Sequence, residues 1–185
     1  YDEFAEKFSA RIAGQNVGDG LNESTDVGPL VSEKQLADVS AMIDRAVEAG
    51  AKIAAGGGKP FNTGFFLEPT VLVDVDPDSD IVKDEIFGPV APVIRFDNEA
   101  ELITTINKDS VGLAGYFHTK DMNRVMRLAE RLEIGMLGVN SATISNASAP
   151  FGGMKHSGMG REGGKEGIED YLQTVYVGMP AADFF

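Results

Sequence analysis

Apolar residues recur at Phe4, Phe8 and Ile12, with Tyr1 and Ala5 beside them. That spacing predicts one helix face over residues 2–12, and Gly14 stands where the helix would stop. Residues 14–31 are polar and glycine-rich with no period, and read as a loop. Ser32 predicts the N-cap of a second helix, with Gln35 completing a capping box. Leu36, Val39, Ile43 and Val47 make its buried stripe, and Gly50 ends it.

From Ala51 the pattern changes to strands. Residues 51–55 form a short one. Residues 65–75 are rich in aromatic and β-branched side chains, and Pro69 puts that segment at an edge or a bulge. Residues 90–96 predict another strand, with Pro92 inside it. Asn98 predicts the cap of a helix whose face is Leu102, Ile103 and Ile106. A strand at 113–118, a helix at 121–132 with Val125, Leu128 and Leu132 inward, and a strand at 136–140 follow. Strand–helix–strand–helix–strand over 90–140 is the pattern of a parallel sheet with right-handed crossovers, hence an α/β fold. Ligands of such sheets lie beyond the carboxyl ends of the strands. The long glycine-rich loop after Asn140, running to about Gly164, leaves from such an end, and long loops in compact domains are usually functional. A helix near 165–171 and an extended tail at 172–177 complete the pattern.

Composition narrows the classes. Among 185 residues, 16 Lys and Arg face 29 Asp and Glu, a formal net charge of −13. A surface so acidic is repelled by phosphate backbones and anionic lipid, so neither nucleic acid nor membrane is an expected partner. At 43% hydrophobic residues the chain has enough for a core. No apolar run approaches the ~20 residues of a membrane span. Cysteine is absent, which excludes disulfides, zinc–thiolate sites and a thiol nucleophile within the chain. With two histidines, His118 and His156, no metal cage is expected. The chain begins at Tyr1 rather than Met, so a processed product or an excised piece is expected.

Some local patterns imitate known sites. Gly158, Gly160 and Gly163 spell G-x-G-x-x-G, but the residues before them are loop, where a dinucleotide fingerprint needs a strand. Asp74, Asp76, Asp78, Asp80 and Glu85 fall on a calcium-loop template. Ser79 replaces its turn glycine and the segment before it is strand, so a solvated acidic turn is the expectation. Asn22 and Asn146 begin glycosylation sequons that nothing else in the chain supports. His118 reads as a strand-end residue and His156 as a loop contact.

Other segments are more specific. Glu85-Ile86-Phe87-Gly88-Pro89 resembles the E-x-F-G-P motif of NAD(P)-dependent aldehyde dehydrogenases. Pro150-Phe151-Gly152-Gly153-Met154-Lys155-His156-Ser157-Gly158-Met159-Gly160-Arg161-Glu162, with Asn140 before it, resembles that family's P-F-G-G-x-K-x-S-G-x-G-R-E loop. Gly28-Pro29-Leu30 and Gly64-Phe65-Phe66-Leu67-Glu68-Pro69-Thr70 fall in family order, and the resemblance runs from Tyr1 to Val177. Within the family, residues 112–117, 135–140 and 169–172 look most like the succinate-semialdehyde dehydrogenase branch, although the residues after Asn146 depart from it.

The resemblance implies the C-terminal part of a three-layer α/β catalytic domain with a parallel sheet, residues 1–170, followed by an oligomerisation strand and tail, 171–185. It implies oxidation of an aldehyde, succinic semialdehyde to succinate, with NAD or NADP through a thioester on an upstream cysteine. Cysteine, glutamate base and dinucleotide-binding domain would all precede Tyr1, so the chain itself would hold no catalytic group and would be inactive alone. Glu85 would accept hydrogen bonds from the nicotinamide ribose, and Phe87 would pack beside the nicotinamide. On sequence alone Glu85 is an ordinary surface carboxylate; the motif reverses that reading. Ser145 would help bind the substrate carboxylate. Phe151 would line the substrate tunnel, with core packing an equal alternative. Arg161 and Glu162 would fix their loop rather than touch substrate. The parent would be a cytoplasmic homo-oligomer, dimer or tetramer. Another aldehyde dehydrogenase branch, a catalytically inactive structural relative and a calcium module at residues 74–85 are the competing readings.

Overall fold

The computed structural model describes residues 1–179. The chain divides into two compact units, the first covering residues 1–97 and the second starting at Asn98.

The first unit opens with α1 (Asp2–Ala13), closed by Gly14 as expected. Helix α2 (Glu33–Glu48) starts at Ser32, whose side chain accepts from the Gln35 N–H. Its buried face is Leu36, Val39, Ile43 and Ala46. Val47, expected in that stripe, is exposed; the face turns through Ala46, one residue earlier, as 3.6 residues per turn allow. Strands β1 (Lys52–Ala55), β2 (Thr70–Val73) and β3 (Val90–Pro92) form a sheet in the order β1-β2-β3. The β1–β2 pair is antiparallel and β2–β3 parallel. The segment 65–75 is mostly not strand. Pro69 has no N–H to give a ladder, so pairing begins at Thr70, and the short strand is central rather than at an edge. The bulge falls on β1, between Ile53 and Ala55. Leu36, Val39, Ile43, Leu67, Leu72 and Ile81 belong to the buried cluster, with Ile86 and Val90 packed against it. Ile81 comes from α3 (Asp80–Lys83).

The second unit contains α4 (Glu99–Asn107), capped by the Asn98 side chain, and α5 (Met122–Arg131), capped by Asp121. Ile103 is buried as expected, but Ile106 is exposed. Strand β5 (Ala114–Phe117) pairs in parallel with β6 (Met136–Val139), and β4 (Val111–Gly112) pairs antiparallel with β7 (Met154–Lys155). The single sheet expected over 90–140 is therefore replaced by separate ones: β3 pairs with β2, and β5 with β6. Alternation of strands and helices does not specify which strands share a ladder. The α/β class holds, with parallel pairing in both units.

The last helix is a 3₁₀ segment, Glu166–Tyr171. The chain leaves it in extended backbone at Leu172. Residues 172–179 join no strand among the described residues, and Val175 and Tyr176 are exposed. The rest of the expected terminal segment, 180–185, lies outside the described residues. No helix among the described residues is long and apolar enough to cross a membrane.

Candidate functional site

Glu85 and Phe87 lie in the loop between α3 and β3. Ile86 between them turns inward against the core, and the residues on either side turn outward. Phe87 is 71% exposed and has φ +47°. The left-handed region costs an L-residue roughly 1–2 kcal/mol, so neither burial nor backbone preference explains this placement. Such strain persists where the surroundings over-determine it, and it gathers at functional sites. Glu85 is exposed and has no hydrogen bond or ion pair among the described residues. Both side chains line a cleft of about 330 Å³ against α2, with Gln35, Asp38, Met42 and Arg45 opposite.

Gln35 departs from the expected capping box. Its backbone N–H is held by Ser32 Oγ at 3.1 Å, but its side chain turns away. Gln35 Nε2 donates to the carbonyls of Ile86 at 3.1 Å and Phe87 at 3.2 Å. One turn on, the Val39 methyls approach Gly88 so closely that a Cβ there would lie 3.0 Å from each. Glycine lets the loop lie this close to α2 without displacing Val39. The periodicity marked Val39 as core and Gln35 as cap; nothing local marks either as a support for a loop fifty residues away.

Ser145 and Phe151 belong to the long loop after β6. Ser145 is exposed; Phe151 is half-buried. The loop is tied at its start by Asn140, whose Oδ1 accepts from the Thr119 N–H at 2.9 Å and whose Nδ2 donates to the Thr119 carbonyl at 2.8 Å. Phe151 exchanges backbone hydrogen bonds with Glu162, at 2.7 and 2.8 Å. Arg161 donates through one Nη to the carbonyls of Gly153, Met159 and Gly160, and its backbone N–H reaches Asp170. This is the loop-fixing role expected of Arg161. Lys155 Nζ donates to the carbonyls of Asn107 and Asp109 and pairs with Glu133 at 2.7 Å. Asn140, Lys155 and Arg161 thus hold the loop; of these the sequence reading named Arg161, and the glycine-rich composition gave no sign of the other two.

The G-x-G-x-x-G segment leads into no α-helix, only the 3₁₀ turn, so it offers no helix N-terminus for a pyrophosphate. In the acidic turn, Asp74 pairs with Lys52 at 2.9 Å, Asp80 with Arg45 at 2.6 Å and Asp78 with Lys83 at 2.9 Å. The hydrogen bond that Lys52 donates to Asp74 raises the Lys52 pKa above its ordinary value. Among the described residues no group of His, Asp and Glu is arranged to hold a metal ion. His118 follows β5 and is exposed; His156 gives its backbone N–H to the Ser110 carbonyl.

Both loops lie within a stretch that matches known proteins. The family model described as the aldehyde dehydrogenase family matches residues 1–177. The chain is 51% identical over 177 residues to a glutarate-semialdehyde dehydrogenase of Pseudomonas putida, covering 96% of this chain and 36% of that one. It is 47% identical over 177 residues to an NADP+ succinate-semialdehyde dehydrogenase of Escherichia coli, covering 96% and 37%. The NAD+ complex of an aldehyde dehydrogenase from Bacillus cereus superposes with a TM-score of 0.89 at 38% identity, covering 94% of this chain and 35% of the other. The chain spans a little over a third of the length of these relatives. With a match that runs almost end to end and takes in both loops, the chain belongs to the aldehyde dehydrogenase family.

Proposed function

We propose that residues 1–179 supply the cofactor-facing and substrate-facing loops of an NAD(P)-dependent dehydrogenase that oxidises a carboxylate-bearing aldehyde, succinic semialdehyde. The observation that carries this reading is the loop 85–87. A carboxylate with no partner among the described residues stands beside an exposed, strained aromatic on the rim of a cleft. These groups fit a nicotinamide riboside. The carboxylate accepts hydrogen bonds from a vicinal diol, and the aromatic covers a flat ring. The dinucleotide, when bound, accepts the hydride. Glu85 orients the ribose, Phe87 limits where the ring lies, and a fixed orientation is what makes a transfer step fast. Ser145 donates its hydroxyl to the substrate carboxylate, and Phe151 walls the aldehyde's path. The thiolate that attacks the aldehyde belongs to a longer parent chain, so the 185-residue chain alone turns over no aldehyde.

A second reading concerns length of substrate. The 51% identity to a glutarate-semialdehyde dehydrogenase favours the five-carbon semialdehyde as strongly as the four-carbon one. One experiment on the full-length enzyme tests both levels. Glu85→Gln should weaken dinucleotide binding or slow single-turnover hydride transfer, leaving aldehyde KM near wild type. Ser145→Ala should lower kcat/KM for succinic and glutaric semialdehydes by a hydrogen bond to a charged group, ~1.5–3 kcal/mol, and spare an uncharged aldehyde of equal length. Unchanged hydride transfer and affinity in Glu85→Gln would sink the cofactor assignment; equal losses for charged and uncharged aldehydes would sink the role of Ser145.

The exposed tail, with β-branched and aromatic residues at Thr174, Val175, Tyr176 and Val177, supports assembly of the parent into a cytoplasmic homo-oligomer through a strand added to a partner's sheet edge. Deleting everything after Asp170 should reduce the oligomer mass in light scattering; an unchanged mass at low concentration removes the tail from the interface. Cell fractionation checks the compartment.

A further inference from the structure

The side chain of Gln35 has been drawn out of its helix cap and committed to another loop. In extended backbone, successive carbonyls point to opposite sides, so one amide cannot serve two neighbours. Ile86 and Phe87 nevertheless present their carbonyls to a single nitrogen, at 3.1 and 3.2 Å. The left-handed turn at Phe87, φ +47°, is what swings the second carbonyl round to join the first. Val39, four residues on and so on the same face of α2, touches the glycine that follows. The helix therefore grips the loop at two successive points: a polar one at residues 86–87 and a steric one at Gly88.

We infer that Gln35 is a positioning residue of the cofactor site. Its carboxamide holds the kink at Phe87 and so sets how Glu85 and Phe87 face the cleft. The inference rests on the reading that this loop meets the nicotinamide riboside, and deepens it.

Gln35→Glu separates this role from helix capping. Glutamate has the same size and completes the reciprocal capping box with Ser32, so α2 should be as stable or more so. It has no donor, however, and turns a carboxylate toward two carbonyls. In the full-length enzyme without dinucleotide, chymotryptic cleavage after Phe87 should speed up at least about fivefold, since a loosened segment opens more often. Dinucleotide binding by calorimetry should weaken roughly tenfold and single-turnover hydride transfer should slow, because the orienting groups have moved. Aldehyde KM and the thermal midpoint should stay at or above their wild-type positions. Gln35→Met, which removes the donor without adding charge, should shift cleavage and affinity in the same direction by less. Wild-type cleavage after Phe87, or wild-type cofactor binding and hydride transfer, in Gln35→Glu would overturn the inference. Glu85→Gln measured in parallel separates the two failures. An unimpaired Glu85→Gln enzyme overturns the cofactor reading itself. An impaired Glu85→Gln beside an intact Gln35→Glu overturns only the positioning by Gln35.

Discussion

In residues 1–97, Val39, Leu72 and Ile81 are almost wholly buried in one apolar cluster, and the loop of Glu85 and Phe87 rests on the helix that roofs it. From Asn98 onward the buried apolar side chains among the described residues are Ile103, Leu128 and Met136. The second loop rests instead on polar anchors: Asn140 on Thr119, Lys155 on Asn107 and Asp109, Arg161 on three carbonyls of its own loop. Apolar packing is non-directional and tolerates a shift. Hydrogen bonds have fixed lengths and angles, so they place a backbone but fail abruptly when stretched. One loop thus combines support from buried volume with the two Gln35 hydrogen bonds, while the other is held mainly from within by hydrogen bonds.

The largest expected effect tests the core side of this contrast. Leu72→Ala removes a fully buried side chain from the cluster and should cost about 2–5 kcal/mol in urea unfolding of the 185-residue chain. Leu128→Ala, at the thinner apolar contact of the second unit, should cost less. Equal costs would erase the distinction.

A smaller effect tests the anchored side. Arg161→Ala should leave the urea midpoint of the core nearly unchanged while loosening the loop it holds. A hydrogen bond to a charged group contributes ~1.5 kcal/mol at the low end, which corresponds to roughly tenfold faster amide exchange. The Phe151 and Glu162 amides, bonded to each other's carbonyls, are the ones to follow by hydrogen exchange. If they exchange at the wild-type rate, Arg161 is not the support.

These two experiments bear on what the sequence could disclose. The 3.6-residue spacing of Leu36, Val39 and Ile43 located a core because burial follows periodicity. Ser32, Asn98 and Asp121 located helix starts because a cap acts within three residues of itself. Glu85, Phe87, Ser145 and Phe151 entered as candidates by resemblance alone; neither exposure nor strain at Phe87 leaves a local pattern. Gln35 is the expected partner of Ser32 through its backbone N–H, but the destination of its side chain was hidden because those bonds span more than fifty residues. The split of the expected sheet was hidden for the same reason: pairing is a long-range choice, and β3 pairs with β2.

The smallest effect is a pH dependence confined to the second unit. Glu99, at the start of α4, pairs with Arg127 and Arg124 of α5 at 2.7 and 2.8 Å. The hydrogen bond from Arg127, working against partial desolvation, holds the Glu99 carboxyl below the ordinary carboxylate range. A depressed folded-state pKa means stability present above the unfolded value and lost as pH falls through the folded one. Acidification below that range should therefore loosen α4 from α5, and Glu99→Gln should remove this part of the acid response. Exposed pairs contribute little, so amide exchange in α4 as a function of pH is the sensitive measurement. An identical acid profile in Glu99→Gln would show that this pair does not couple the helices.

The two bonds that Asn140 makes to the N–H and the carbonyl of Thr119 can be put in mechanical terms. A single bond is a pin joint, about which a chain can still rotate. Two bonds from one planar group make a built-in end, fixing direction as well as position. The loop is built in again where Phe151 and Glu162 exchange bonds and Arg161 gathers its three carbonyls. A beam held rigidly at both ends bends most in its middle. Between these ends lie residues 141–150, with Ser145 among them and one further tie where the Gly164 N–H donates to the Ala147 carbonyl, while Phe151 stands at the clamp.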